Sequence, residues 1–141
     1  GIYVIESKNY SAWIYGNGDD KDWTQVFPNG KKYEFYNPIK QNETHIRALQ
    51  HVLPNIPTKA YTNLVVFSER CELKEIHYTQ QQTHVLQRPD LRNLIEKLTR
   101  KNKKIFTTAE VIKLYTDLEE YAITDSATIE QHKQDVAQYR K

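Results

Sequence analysis

The sequence predicts an α/β domain, and three observations carry that prediction. A β-branched and aromatic run opens the chain, three aromatic-rich segments follow between glycine-bearing turns, and a capped amphipathic helix then leads into a short, wholly apolar run. At 141 residues the chain fits one domain, long enough to bury about 68 to 70% of its unfolded surface without disulfides or a structural metal.

The first element is Ile2-Tyr3-Val4-Ile5, which shows no polar alternation before Glu6. A strand apolar on both faces is expected at the centre of a sheet. Trp13-Ile14-Tyr15, Trp23-Thr24-Gln25-Val26 and Tyr33-Glu34-Phe35-Tyr36 come next, separated by Gly16-Asn17-Gly18 and Pro28-Asn29-Gly30. Those separators supply the positive-φ positions of tight reversals, so the three segments predict an antiparallel meander. At Asn37-Pro38 the period changes. Asn caps a helix through its side-chain oxygen, and Pro suits the first helical position, where its missing N–H costs nothing. Ile39, Ile46, Leu49 and Leu53 then form one stripe, and Pro54 and Pro57 mark the exit. Leu64-Val65-Val66-Phe67 reads as another buried strand, so the order implies a mixed sheet with a right-handed crossover. Cys71 to Tyr78 reads as a polar stretch.

From Pro89 onward the pattern is helical. Leu91, Leu94, Ile95 and Leu98 make one stripe, Val111, Leu114, Tyr115 and Leu118 make another, and Thr107-Thr108-Ala109-Glu110 supplies a capping box between them. A last helix is expected from Ile129 to about Tyr139.

Composition removes several classes. Apolar runs stop after four or five residues, against about 20 for a bilayer span, so no membrane helix is expected. The lone Cys71 cannot form an internal disulfide, which points to a reducing cytoplasm. A net charge of +2 permits nucleic-acid binding without requiring it. The chain carries no phosphate-binding glycine loop, and its histidines do not stand at zinc-ligand spacing, so His45 and His51 read as helix-surface residues.

Glu6-Ser7-Lys8 is the motif with chemistry in it. Residues two apart on a strand share a face, ~6.6 Å apart along the chain. A carboxylate that holds a hard cation and an ammonium beside the attacking water are the two parts that phosphodiester cleavage needs. The spacing alone is common, and Glu72-Leu73-Lys74 repeats it, but Glu6 ends an apolar strand, where charges face a site. Gln41, in the first turn of the Asn37-capped helix, lies where free N–H groups and the dipole favour a phosphate; an exposed helix glutamine reads the same way. Lys97, Arg100, Lys101, Lys103 and Lys104 form the densest basic run, fit either to track a phosphate backbone or to complement a helix C-terminus. Trp13 and Trp23 suit either base stacking or packing.

Gly1 to Ser11, a Trp in the following hairpin, Tyr36-Asn37-Pro38-Ile39-Lys40-Gln41-Asn42, and Val65-Val66-Phe67-Ser68 with Cys71 after it together resemble the nuclease-related domain family, over about residues 1 to 76. His132 resembles the histidine that often closes such proteins. The resemblance implies a restriction-endonuclease-like fold, a mixed sheet flanked by helices with a helical C-terminal segment. It also implies a Mg²⁺- or Mn²⁺-dependent nuclease acting on DNA, with Glu6 and the Ser7 carbonyl as metal ligands, Lys8 orienting water and Gln41 near the metal. The nucleic-acid contacts expected are Lys8, Asn37, Gln41, Lys101 and Lys104. The family's upstream Asp precedes the Gly that here is residue 1. The expectation is therefore a fragment, with residues 1–88 lacking the domain's first helix and strands and residues 89–141 as a helical extension packed on it. Alone it should cut poorly. The other expectation is a non-catalytic module binding nucleic acid or protein, with a free sheet edge able to pair with another chain.

Overall fold

The computed structural model describes residues 1–101 and 106–120. Lys104, His132 and the helix expected over 129–139 lie outside the described residues.

Among the described residues seven strands form two sheets. The first joins β1 (Ile2–Lys8), β5 (Tyr61–Phe67) and β7 (Thr83–Gln87) in the order β1-β5-β7, all parallel. The second has the order β4-β3-β2-β6, built from β2 (Ala12–Asn17), β3 (Asp22–Val26), β4 (Lys32–Tyr36) and β6 (Cys71–His77). β2, β3 and β4 are the expected antiparallel meander, and β6 joins it parallel to β2. The protein is thus mixed α/β, with its strands divided between two sheets.

Helix α1 (Pro38–Val52) follows β4 and ends at the Leu53 cap, as its stripe predicts. Helix α2 (Leu91–Lys101) follows a short 3-10 turn at Arg88–Asp90. The two helices cover opposite faces of the first sheet. Period two puts Val4, Glu6 and Lys8 on one face and Tyr3, Ile5 and Ser7 on the other. On the first face, Val65 and Phe67 of β5 join Ile39 of α1 and Ile14 and Trp23 of the second sheet in the main core. The Trp23 ring stacks on Phe67 at 6.2 Å and 10°. On the opposite face Leu64, Val66 and Leu86 pack against Tyr3 and the Leu91, Leu94 and Ile95 stripe of α2.

Four expectations change. β1 is an edge strand among the described residues, and Ile5 on its Tyr3 face is 47% exposed, so its apolar run does not mark a sheet centre. Cys71 to His77 is a strand whose alternation is broken by a register shift opposite Ile14 and Tyr15. β7 is a further strand. Residues 108–120 are helical, with the Thr107–Glu110 capping box in place at 3.1 and 3.2 Å, yet Val111 and Tyr115 stand exposed while Leu114 and Leu118 are half-buried. No described helix is long and apolar enough to cross a membrane.

Candidate active site

The site lies at the C-terminal end of β1, where β1 and β5 are tied together. Ser68 N–H donates to the Lys8 carbonyl at 2.9 Å, the Ser68 hydroxyl donates to the Tyr10 carbonyl, and Arg70 donates to the Asn9 side chain at 3.1 Å. Ligand crevices of parallel sheets open at this end of their strands.

Glu6 and Lys8 share the face that the strand period assigns them. Lys8 Nζ stands 3.3 Å from Glu6 Oε1, with the two side chains 17% and 15% exposed. The other oxygen, Oε2, meets His45 Nε2 of α1 at 3.1 Å. Sequence reasoning puts His45 on the helix surface, and it is in fact 53% exposed. The signal that could have found it is its spacing, one turn after Gln41 on the same stripe.

The packing that delivers His45 is a buried amide pair. Asn42 Nδ2 donates to the Val4 carbonyl at 2.8 Å and to Asn63 Oδ1 at 2.7 Å, while Asn63 Nδ2 donates to the Ile39 carbonyl at 3.2 Å. These bonds fix α1 against β1 and β5, so residues three further along the helix and two further along the strand come together. Buried amides hold position well because an unmade bond there costs about 1 to 3 kcal/mol.

The helix N-terminus does not offer the expected phosphate cradle. Pro38 has no N–H, Asn37 Oδ1 accepts from Ile39 N–H at 2.9 Å and Lys40 N–H at 3.4 Å, and the Asn37 carbonyl accepts from Gln41 N–H at 3.0 Å. Every first-turn donor is therefore taken. Asn37 itself is fully buried, and its Nδ2 donates to the carbonyls of Asn17, Gly18 and Asp20 at 3.3, 3.0 and 2.7 Å. It is a cap that ties α1 to the β2–β3 turn and presents no free group to a ligand. Gln41 is half-buried and keeps its side-chain amide available for a contact.

Lys101 is not brought to Glu6. It ends α2, which packs on the opposite face of the first sheet and returns toward the start of β1, with Thr99 Oγ1 3.5 Å from the Tyr3 hydroxyl. Lys97, Arg100 and Lys101 line a shallow surface groove of their own. Trp23 is wholly buried, whereas Trp13 is exposed with Lys74 Nζ 5.0 Å from its ring centre. Cys71 is buried, burial pushes its thiol pKa up, and Sγ donates to the Ser68 carbonyl at 3.2 Å, so it is no nucleophile.

Glu6 fits a hard divalent cation as one ligand. Such ions take one or two carboxylates and keep several waters. The Ser7 carbonyl is its neighbour in sequence, and no group of three or more His, Cys, Asp and Glu side chains gathers among the described residues.

The chain is 37% identical over 101 residues to an uncharacterized protein of Bacillus anthracis, an alignment covering 70% of this chain and 45% of that relative. The chain thus spans under half the length of the curated relative it matches. No solved structure matches. Residues 1–68 match the family model described as nuclease-related domain, a stretch that runs through β1, the meander, α1 and β5 and contains Glu6, Lys8, Gln41 and His45. Residues 1–68 of the chain are thus similar to the nuclease-related domain family.

Proposed function

We propose that this domain hydrolyses phosphodiester bonds in DNA at the end of β1. The observation that carries the reading is a half-buried carboxylate, Glu6, held 3.3 Å from the Lys8 ammonium inside the matched region. In the reaction a water oxygen attacks phosphorus, the bond to the leaving oxygen breaks, and that oxygen takes a proton. Lys8 orients the attacking water and offsets charge that builds on the phosphoryl oxygens. Glu6 and the Ser7 carbonyl would hold Mg²⁺ or Mn²⁺, which when bound makes water a stronger nucleophile and polarises the phosphoryl group. Gln41 supplies an amide to a non-reacting phosphate oxygen. Lys101, which is not brought to Glu6, and Lys104, which lies outside the described residues, serve the DNA backbone.

A second reading is a binding module without catalysis. It is favoured by the single carboxylate at the site, since no group of three metal-ligating side chains gathers among the described residues. In that case nucleic acid or a protein strand is held, the latter along the outer edge of β1, which is unpaired among the described residues.

Nicking of supercoiled plasmid separates the two. With Mg²⁺ or Mn²⁺, this chain and a form extended upstream in its gene are compared with their Glu6→Gln and Lys8→Ala variants. The nuclease reading expects nicking by at least one form, reduced by about 10²-fold or more in each variant. Nicking that survives Glu6→Gln refutes the site. DNA binding that persists in chelator without any cutting establishes the module.

A further inference from the structure

We propose that His45 is a metal ligand beside Glu6, so that the site takes a divalent ion through a mixed carboxylate and imidazole pair. This deepens the reading of Glu6 as a metal ligand and rests on it.

The geometry is that of two neighbouring corners of one coordination shell. Lys8 occupies Glu6 Oε1, which leaves Oε2 to face His45 Nε2 at 3.1 Å. With bonds of about 2.1 Å from an ion to each atom, that separation subtends about 95°, the angle between adjacent ligands of an octahedron. The ring is reachable as well, since His45 is half-exposed while Glu6 is mostly covered. Solvent side and protein side of the ion are thereby defined. The helix that carries His45 is fixed by the Asn42–Val4 and Asn42–Asn63 bonds, which set its backbone beside the Glu6 end of β1.

Donor chemistry sets the selectivity. Carboxylate and carbonyl oxygens alone suit Mg²⁺, whereas an imidazole nitrogen shifts preference toward Mn²⁺ and later first-row ions. His45 therefore favours Mn²⁺ over Mg²⁺ at this site, with the later first-row ions bound more tightly than either.

The test is Mn²⁺ and Mg²⁺ binding by the full chain, with pulsed electron paramagnetic resonance of bound Mn²⁺ reporting nitrogen coordination. His45→Ala and Glu6→Gln are compared, each with its thermal melt. The expected result is directly coordinated nitrogen in the wild type, its loss in His45→Ala, and Mn²⁺ affinity reduced by roughly 10- to 100-fold or more with little change for Mg²⁺, since even outer partners of a ligand are worth that much. Mn²⁺ that binds without a nitrogen signal, is lost in Glu6→Gln and is indifferent to His45→Ala overturns the His45 assignment and leaves the Glu6 reading standing. Binding that ignores both variants overturns both.

Discussion

Asn37 offers the sharpest test of how the site is built, because one buried side chain closes both the helix and the turn beside it. Asn37→Ala removes the acceptor for Ile39 and Lys40 N–H, a cap loss of about 1 kcal/mol. It also removes the donor to three carbonyls. At least one of these becomes a buried unsatisfied acceptor, at about 1 to 3 kcal/mol. The total expected is ~3 kcal/mol, a drop in Tm on the order of 10 °C for a domain of this size. Asn37→Asp sharpens the test. Aspartate ranks with asparagine as a helix cap, so a cap-only role predicts little change. Here, however, the substitution would aim a buried carboxylate oxygen at three carbonyl oxygens, and the loss should equal or exceed that of Asn37→Ala. Urea unfolding followed by tryptophan fluorescence measures both. An Asn37→Asp protein within about 0.5 kcal/mol of wild type would refute the reasoning. Below its melting temperature Asn37→Ala should bind DNA like the wild type, because the side chain reaches no ligand.

Three further perturbations read other parts of the structure. Gly16→Ala would place a Cβ 2.2 Å from Trp23 Cδ2, against a ring wedged on Phe67, and should cost about 1 to 3 kcal/mol with altered near-ultraviolet dichroism; an unperturbed melt would mean the ring is free to move. Burial first, and Lys97 second, hold the His84 imidazole below its ordinary pKa of 6.5. The unfolded chain therefore binds more protons as pH falls through that range, so stability should decline between about pH 7.5 and about 5.5, and His84→Gln should flatten the decline in urea midpoints. Reversing Lys97 and Lys101 to Glu should reduce the salt slope of DNA binding by about 0.9 for each phosphate that is no longer neutralised; an unchanged slope takes that groove out of the interface.

How far the sequence could be read follows from which contacts are local. The Asn37-Pro38 start, the Leu53 end and the Thr107–Glu110 box depend on neighbours a few residues away, and the structure keeps all of them. The meander was legible in part for the same reason: Gly30 takes the positive φ its turn predicts, whereas Gly16 and Asn17 lie inside β2 and Gly18 has no positive φ. β6 was not, because its pairing with β2 shifts register and breaks the alternation that period-two reading needs. The edge position of β1 shows a different limit. An apolar run need not lie between two strands: α1 bonds to the Val4 carbonyl on one side, α2 reaches Tyr3 on the other, and Ile5 stays 47% exposed. At the site, the shared face of Glu6 and Lys8 follows from strand period alone. His45 does not, since its position depends on Asn42 and Asn63, polar residues in a core whose pairing spans 21 positions.

The two Glu-x-Lys copies supply the control for everything built on Glu6. Spacing makes an ion pair in both, at 3.3 Å for Lys8–Glu6 and 3.1 Å for Lys74–Glu72, so the pair itself distinguishes nothing. What differs is the surroundings. Glu72 is 61% exposed, and Lys74 turns its ammonium over Trp13, whereas the second oxygen of Glu6 faces an imidazole at a covered strand end. An exposed pair is worth about 0.2 to 1 kcal/mol at most, so Glu72→Gln should leave stability nearly unchanged and leave plasmid nicking and Mn²⁺ binding at wild-type levels. Glu6→Gln removes the carboxylate between two basic groups, so the same measurements should fall together. If Glu72→Gln lowered either one, the chemistry would lie on the second sheet, and motif spacing would have been a better guide than burial.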